Sequence, residues 1–455
     1  VRRSTIQSSS NFAVYTNAQV YGTSLHRYVD STLRSTYTST ASSTYPPSQG
    51  ALCYYYNYAQ FNDQSVLEID NNEMFVVPNS AYGLYVRMKE GRIQHTTSRY
   101  TNGQIAIYHD AASHADNVVV VEDSTLYLVE VNRANTHVTT GDTLVLRRVT
   151  APYVNLYMGK SNNSALGVEA STITNLNVYG GATGNATMWT SDTTVTGTAM
   201  YDLDSIDSSL FDVHNSTMRY LYIYTKFLRM RPTIRSVLVT YTLYMTSGGL
   251  QSAQMVLWNV TITTTYSYGL YFTSFPLVAG SSFEILNSSI VTTSSYAVYL
   301  ASSVISDGSR FVIENTTVKG LNAFYMDGYQ LNAGGLLYVR RSRFIAATIS
   351  YYTMYVYGSG GQIDHDGSNR HSTGDIKLYF NAPSSNNLFV LNQSTVDYVY
   401  YQQTSTAHVT NNVTVAILGS TVNYMYLEPG STTGTNVRID GSSVFYTSWT
   451  SGTMT

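Results

Sequence analysis

A short frame recurs along this chain and limits what it can fold into: apolar, any, apolar, any, Asn or another turn former, any, Ser or Thr, apolar. Its clearest copies are Met255, Leu257, Asn259, Thr261 and Ile262; then Phe283, Ile285, Asn287, Ser289 and Ile290; then Phe311, Ile313, Asn315, Thr317 and Val318. Leu337, Val339 and Phe344 keep the apolar slots, with Arg341 and Arg343 in the polar ones. These four copies start 28, 28 and 26 residues apart. The frame begins again at Leu67, Val119, Leu166, Met188, Phe211, Val415 and Val437, which fits a repeat of roughly 25 residues throughout. Asp30 to Leu33 resembles Asp123 to Leu126, so the array is expected to begin near the first residues.

A second element follows in many repeats: small, apolar, Tyr, apolar. It occurs as Leu270-Tyr271-Phe272, Val298-Tyr299-Leu300, Phe324-Tyr325-Met326 and Met354-Tyr355-Val356, and again around Tyr85, Tyr157 and Tyr426. Apolar residues alternating over three to five positions mark short strands. Such strands cannot bury a face alone, but stacked on the next copy they pair in parallel around one continuous core. The expected fold is all-β, a right-handed parallel β-helix of about 16–17 coils; the strict six-residue period of the left-handed type is absent. At ~4.8 Å per coil the whole array would be roughly 80 Å long.

Composition agrees. Tyr accounts for 42 of 455 residues, and Tyr, Thr, Val and Ile suit a pleated surface. Charged residues are 12% and the net charge is -3, which argues against a nucleic-acid partner. The one cysteine, Cys53, rules out an intrachain disulfide framework and is expected to be a buried small residue or an intermolecular link. No apolar run reaches the ~18 residues of a membrane-spanning helix. The chain starts at Val1, without an initiator Met or a leader, as a mature chain or a piece of a longer one would. A single β-helix domain over residues 1–455 is expected, least regular in residues 1–64. Ser/Thr/Pro-rich residues 34–50 and Gly-rich residues 358–374 are expected to be loops.

Alternation also assigns faces. In Phe283-Glu284-Ile285 the apolar pair should point inward and Glu284 outward. The residues flanking each motif tyrosine should point inward, which would leave Tyr85, Tyr157, Tyr271, Tyr299, Tyr325, Tyr355 and Tyr426 as a surface row. Such a row could be a binding or assembly surface, because Tyr is enriched at interfaces and its ring can stack on sugars. It could equally be tyrosines that fit strands and stack on one another.

The runs Gly280 to Ile290 and Ser306 to Val318 resemble repeats of the dispersed gene family surface proteins of trypanosomatids and, more loosely, other pectate-lyase-like β-helix surface proteins of protists. The similarity is best over residues 250–345. It implies an extracellular or cell-surface setting and no catalysis. The family's members are membrane-anchored, whereas this chain has no membrane segment and is unusually rich in tyrosine.

Sequons fall at Asn162, Asn185, Asn215, Asn259, Asn287, Asn315, Asn392 and Asn412. With 32 Asn and 111 Ser plus Thr, eight is what chance provides, so position carries more than number. Asn215, Asn259, Asn287 and Asn315 share one repeat position, which suits N-linked glycans and also suits a turn that favours Asn. The acidic clusters are Asp364-His365-Asp366, expected on a solvated loop, and Asp202, Asp204 and Asp207; neither makes the paired-carboxylate signature of glycoside hydrolysis. His109-Asp110 and His114 with Asp116 lack a specific metal-ligand spacing. The threonine pairs Thr172/Thr174, Thr240/Thr242 and Thr261/Thr263 form no regular column. No catalytic residue, cofactor or metal site is expected. The leading expectation is a structural building block of a filament or surface coat that self-associates or binds other surface proteins. The alternatives are an adhesin binding carbohydrate or protein through the tyrosine row, or a polysaccharide lyase or hydrolase.

Overall fold

The computed structural model describes residues 1–8, 12–16, 24–35, 52–61, 66–75, 82–88, 92–96, 99–101, 104–109, 113–133, 138–265, 268–327, 331–332, 334–347, 351–358, 362–366, 370–372, 375–380, 387–403, 409–411, 413–428, 431–434 and 436–449. Among these residues the protein is all-β, with no helix, and its strands pair in parallel to build a β-solenoid. The chain forms two compact units, Val1–Met218 and Arg219–Thr455.

In the first unit one sheet is assembled from Leu25–Val29, Val66–Asp70, Arg92–Thr96, Val118–Glu122, Thr143–Arg147, Ala165–Glu169, Thr187–Ser191 and Leu210–His214, each paired with the next. Register aligns Leu67, Ile93, Val119, Leu144, Leu166, Met188 and Phe211 as a single inward column, each at most 3% exposed. The second unit repeats this with Thr233–Arg235, Gln254–Trp258, Ser282–Leu286, Arg310–Glu314, Leu336–Arg340, Gln362–Asp366, Leu388–Asn392, Thr414–Leu418 and Asn436–Asp440. Its inward column runs Met255, Phe283, Phe311, Leu337, Ile363, Phe389 and Val415. The expected frame positions therefore fall in these columns. Ile93, Leu144, Ile363 and Phe389 are further members that the frame did not single out, because their polar slots differ.

Coil length varies with the connectors. Thr143 pairs with Ala165, a step of 22 residues, and Gln254 with Ser282, a step of 28. Leu25 pairs with Val66, a step of 41, and this longer coil contains the expected loop at 34–50. Arg34 and Ser35 belong to the strand Thr32–Ser35; residues 36–50 lie outside the described residues.

The core is held by dispersion and burial. Phe283 stacks on Phe311 at 5.2 Å, and Phe272 meets Phe283 edge-on at 4.9 Å. Each such side chain contributes about 1.5–3 kcal/mol on burial.

One expectation needs correction. Residues 358–374 are not one loop: Gln362–Asp366 and Arg370–Ser372 are strands within them, paired to Leu336–Arg340 and Arg343–Ile345. Pairing to the neighbouring coil outweighs the local glycine bias. Glu284 follows the outward alternation but is only 9% exposed, because Gln254, Ser282 and Arg310 all hydrogen-bond to its Oε1.

The turn after each of these strands has its own chemistry. Asn259, Asn287 and Asn315 take φ of 54°, 51° and 47°, the left-handed region that Asn tolerates better than most residues. The next residue buries a hydroxyl in coil after coil: Ser171, Thr193 and Ser216 in the first unit, Ser288, Thr316 and Ser342 in the second. Each hydroxyl donates to the carbonyl two residues back and accepts the backbone N–H of its counterpart in the preceding coil, as in Ser288 N–H to Thr316 Oγ1 at 3.2 Å. Buried turn amides are thus satisfied where no strand partner exists.

Candidate functional site: a tyrosine face

In the second unit the strands Leu238–Thr246, Leu270–Thr273, Tyr296–Ala301, Asn322–Asp327 and Tyr352–Gly358 stack in parallel. Val298, Leu300, Phe324, Met326, Met354 and Val356 point inward and are fully buried. The alternation leaves the tyrosines between them on the outer surface, half-buried. Register places Tyr244, Tyr271, Tyr299, Tyr325 and Tyr355 in one column. Tyr222 extends it, stacked on Tyr244 at 4.6 Å. Beyond Tyr355 the column continues through Lys377 to Tyr400 and Tyr426, the last two stacked at 4.7 Å.

A second column lies beside the first. Tyr268 and Tyr296 stack at 5.9 Å, and Tyr398 and Tyr424 at 4.5 Å. The pairs also meet across the columns: Tyr268 and Tyr271 at 4.8 Å, Tyr296 and Tyr299 at 4.9 Å, Tyr352 and Tyr355 at 5.2 Å. This second column was missed in the sequence. Its signal is there: a tyrosine three residues before Tyr244, Tyr271, Tyr299 and Tyr355. Asn322 and Asp375 take its place in two coils; Asn322 Oδ1 accepts the Tyr352 N–H at 2.7 Å.

The geometry decides what a partner would meet. Tyr325 and Tyr355 are 4.5 Å apart and 12° from parallel, so each ring face is covered by its neighbour. Outward lie ring edges and phenol hydroxyls, repeating at the strand spacing of ~4.8 Å. The stack is broken edge-to-face at Tyr244 and Tyr271, which meet at 89°, and it tilts to 56° between Tyr299 and Tyr325, 5.7 Å apart. Burial, reinforced by neighbouring tyrosines and Asp327, raises the Tyr299 and Tyr325 phenols to about 12. Burial and the nearby Tyr244 do the same for Tyr222. Burial and then the charge of Asp397 push the Asp375 carboxyl up to about 6.

The first unit does not continue the expected row. Tyr85 is in register with Tyr55 and Ala106, whereas Tyr157 is in register with Tyr179 and Asp202. Val86, Ile107, Val131 and Leu156 form one column, so the motif at Tyr157 is displaced by two residues from that at Tyr85. A period of two makes the motif ambiguous under just that shift. Tyr157 and Tyr179 stack at 4.9 Å. The Tyr85 side chain lies outside the described residues.

Other expected residues are dispersed. Asn185, Asn215, Asn259, Asn287 and Asn315 are exposed in left-handed turns. Asn162 and Asn392 precede such turns, and the sequon hydroxyls of Ser164 and Ser394 are buried, donating to the Asn162 and Asn392 carbonyls. Asn412 is outside the described residues. Asp364, His365 and Asp366 lie in a strand rather than a loop, His365 in register with Val339 and Leu391. Asp202 and Asp204 are exposed on one strand face, while Asp207 is half-buried. Thr240 is exposed but Thr242 is buried and bonds the Tyr268 carbonyl, so the pair shares no face. Cys53 and His109 lie in the strands Leu52–Phe61 and Gln104–His109, and His114 in Ser113–Ala115; their side chains are outside the described residues, as is Asp110. Among the described residues no group of His, Cys, Asp or Glu could hold a metal ion.

One other outer feature stands out in the first unit. Trp189 lies over Gly167, where an added Cβ would fall 2.2 Å from the ring, and its indole N–H donates to Glu169 at 2.7 Å. Arg147 bridges Glu122 and Glu169 at 2.7 and 2.6 Å.

No protein-family model matches the sequence, and neither a curated protein nor a solved structure is found similar to it.

Proposed function

We propose that this protein is a structural β-solenoid, a building block of an extracellular filament or surface coat, and that the tyrosine face of residues 219–455 is where copies associate. The observation that supports this is the double tyrosine column, in which many neighbouring rings stack face to face. A surface that repeats at ~4.8 Å is commensurate with any stack of parallel strands, and a second copy offers that spacing. Ring edges and phenols give large contact area with few rotatable bonds, as interface tyrosines do. The reading gives the chain no catalytic role. Extracellular placement is supported by the exposed sequon asparagines, and removal of N-linked glycans by peptide N-glycosidase should shift the mobility of the native material.

Sedimentation velocity over a concentration series tests the association. Wild type should form concentration-dependent oligomers, and Tyr299→Ser/Tyr325→Ser should remain monomeric. The variant Tyr299→Phe/Tyr325→Phe keeps the stack and separates the contribution of the hydroxyls from that of the rings. A wild type that stays monomeric at high concentration would overturn the reading. An adhesin that binds a sugar chain is the second reading, favoured by the row of phenol donors and acceptors.

A further inference from the structure

Four tyrosines of the second unit form a box on two successive coils. Tyr398 and Tyr400 lie on the strand Thr395–Gln403, Tyr424 and Tyr426 on the strand Thr421–Glu428. Register sets Tyr398 against Tyr424 and Tyr400 against Tyr426. The first pair stacks at 4.5 Å with its rings 9° from parallel, the second at 4.7 Å and 7°. Within one strand, Tyr398 and Tyr400 are 6.3 Å apart and 10° from parallel. Val399 and Met425, which alternate with them, point inward and are fully buried. All four rings are therefore on the outer face, and Tyr424 is 38% exposed.

Rings stacked at this distance and angle bring their carbons to van der Waals contact, about 3.5–4.0 Å. Phenols are the oxidisable groups that a surface reagent meets here, because burial shields the Met425 thioether. A phenol that loses one electron and its hydroxyl proton becomes a neutral phenoxyl radical, with its unpaired electron shared by the ring carbons ortho to oxygen. Two such radicals in contact couple. The coil register holds the partners together before oxidation, so coupling needs no encounter. With 42 tyrosines and one cysteine, the chain cannot tie one coil to the next by a disulfide, but a tyrosine pair can do so.

The geometry points to this box as a site of oxidative cross-linking, in which hydrogen peroxide, activated by a haem peroxidase, joins Tyr398 to Tyr424 and Tyr400 to Tyr426 as dityrosine. In each pair the two phenols give up one electron and one hydroxyl proton apiece. A carbon–carbon bond forms between ortho carbons. Each joined carbon then loses its proton and each oxygen regains one, which restores both phenols. The two electrons and two protons released break the peroxide O–O bond and leave as two waters. Both links lie within one chain, so the inference stands whether or not copies associate through this face.

The test treats the full chain, dilute enough to sediment as a monomer, with hydrogen peroxide and a haem peroxidase. A parallel sample receives a photo-oxidised ruthenium tris-bipyridine complex, which is small enough to reach half-buried rings. Dityrosine fluorescence should rise. Mass spectrometry of a peptic digest should find the Tyr398–Tyr424 and Tyr400–Tyr426 peptides joined, two hydrogens lighter than their sum. Linkage of the edge-to-face pair Tyr244 and Tyr271 should be several-fold lower. Tyr424→Phe/Tyr426→Phe keeps the stacked rings but cannot form either phenoxyl. It should melt as wild type does before oxidation and lose both linkages. Oxidation should raise the wild-type melting temperature by several degrees, and that of the variant by less, because each link closes a loop of 26 residues in the unfolded chain. Absence of dityrosine with both oxidants, linkages without preference for these partners, or the same linkage map in urea-unfolded chain would each overturn the assignment. Linkages found only between copies would overturn it too, while supporting the proposed association.

Discussion

Ser288 donates its backbone N–H to Oγ1 of Thr316 in the following coil at 3.2 Å, while Thr316 donates its own hydroxyl to the Glu314 carbonyl at 2.8 Å. Both residues are buried, so neither bond can be replaced by water without opening the turn. Thr316→Val keeps the shape and removes the acceptor. It should cost about 1–3 kcal/mol, the penalty of an unsatisfied buried amide. Thr316→Ser should be close to wild type. Urea unfolding of the two variants measures the difference.

Ile285 is fully buried in the strand Ser282–Leu286. Ile285→Asp would place a carboxylate in the apolar core and should abolish the cooperative melt of the second unit. Ile285→Val should cost only about 0.5–1.5 kcal/mol. Thermal melting that is unchanged in Ile285→Asp would contradict the register.

Gly167 is where the Trp189 ring comes down on the backbone, and an alanine Cβ there would meet the ring at 2.2 Å. Gly167→Ala should lift the indole away and break its hydrogen bond to Glu169. The measurement is tryptophan fluorescence, corrected with Trp189→Phe because the chain has 3 tryptophans. A red shift is expected, with a lower melting temperature.

Asp375 gives a pH dependence whose sign is fixed. Its folded pKa is raised to about 6, first by burial and then by Asp397, so the folded state holds the proton more tightly than the unfolded chain. Stability from this group is complete below the ordinary carboxylate range and is lost as pH rises through about 6. Tyr352 and Tyr398 flank it in register, with Lys377 two residues along its own strand. Asp375→Asn should therefore melt higher than wild type at pH 7.5 and about equally at pH 4. An equal difference at both values would remove Asp375 as the cause.

Much of the fold was legible in the sequence, because a solenoid writes its core into a repeated frame. Phe283, Phe311 and Leu337 fall in one column for the reason they share a frame position: each coil must bury the same point of its strand. The turn asparagines were legible too. The residue after each, left unconstrained in the frame, is where hydroxyls such as Ser288 and Thr316 bury themselves. That constraint acts between coils, and Ser next to Thr along a Ser/Thr-rich chain hides it. The tyrosine face was half legible. Tyr271, Tyr299, Tyr325 and Tyr355 form a column as expected. The break between Tyr85 and Tyr157 was not visible, since alternation alone cannot distinguish a register from one shifted by two.

The most direct measurement of the central claim is electron microscopy of the full chain in its native buffer at rising concentration, beside Tyr299→Ser/Tyr325→Ser. Side-by-side assemblies in the wild type that disappear in the variant are the predicted result. Isolated particles at every concentration, or assemblies that the variant leaves intact, would contradict it.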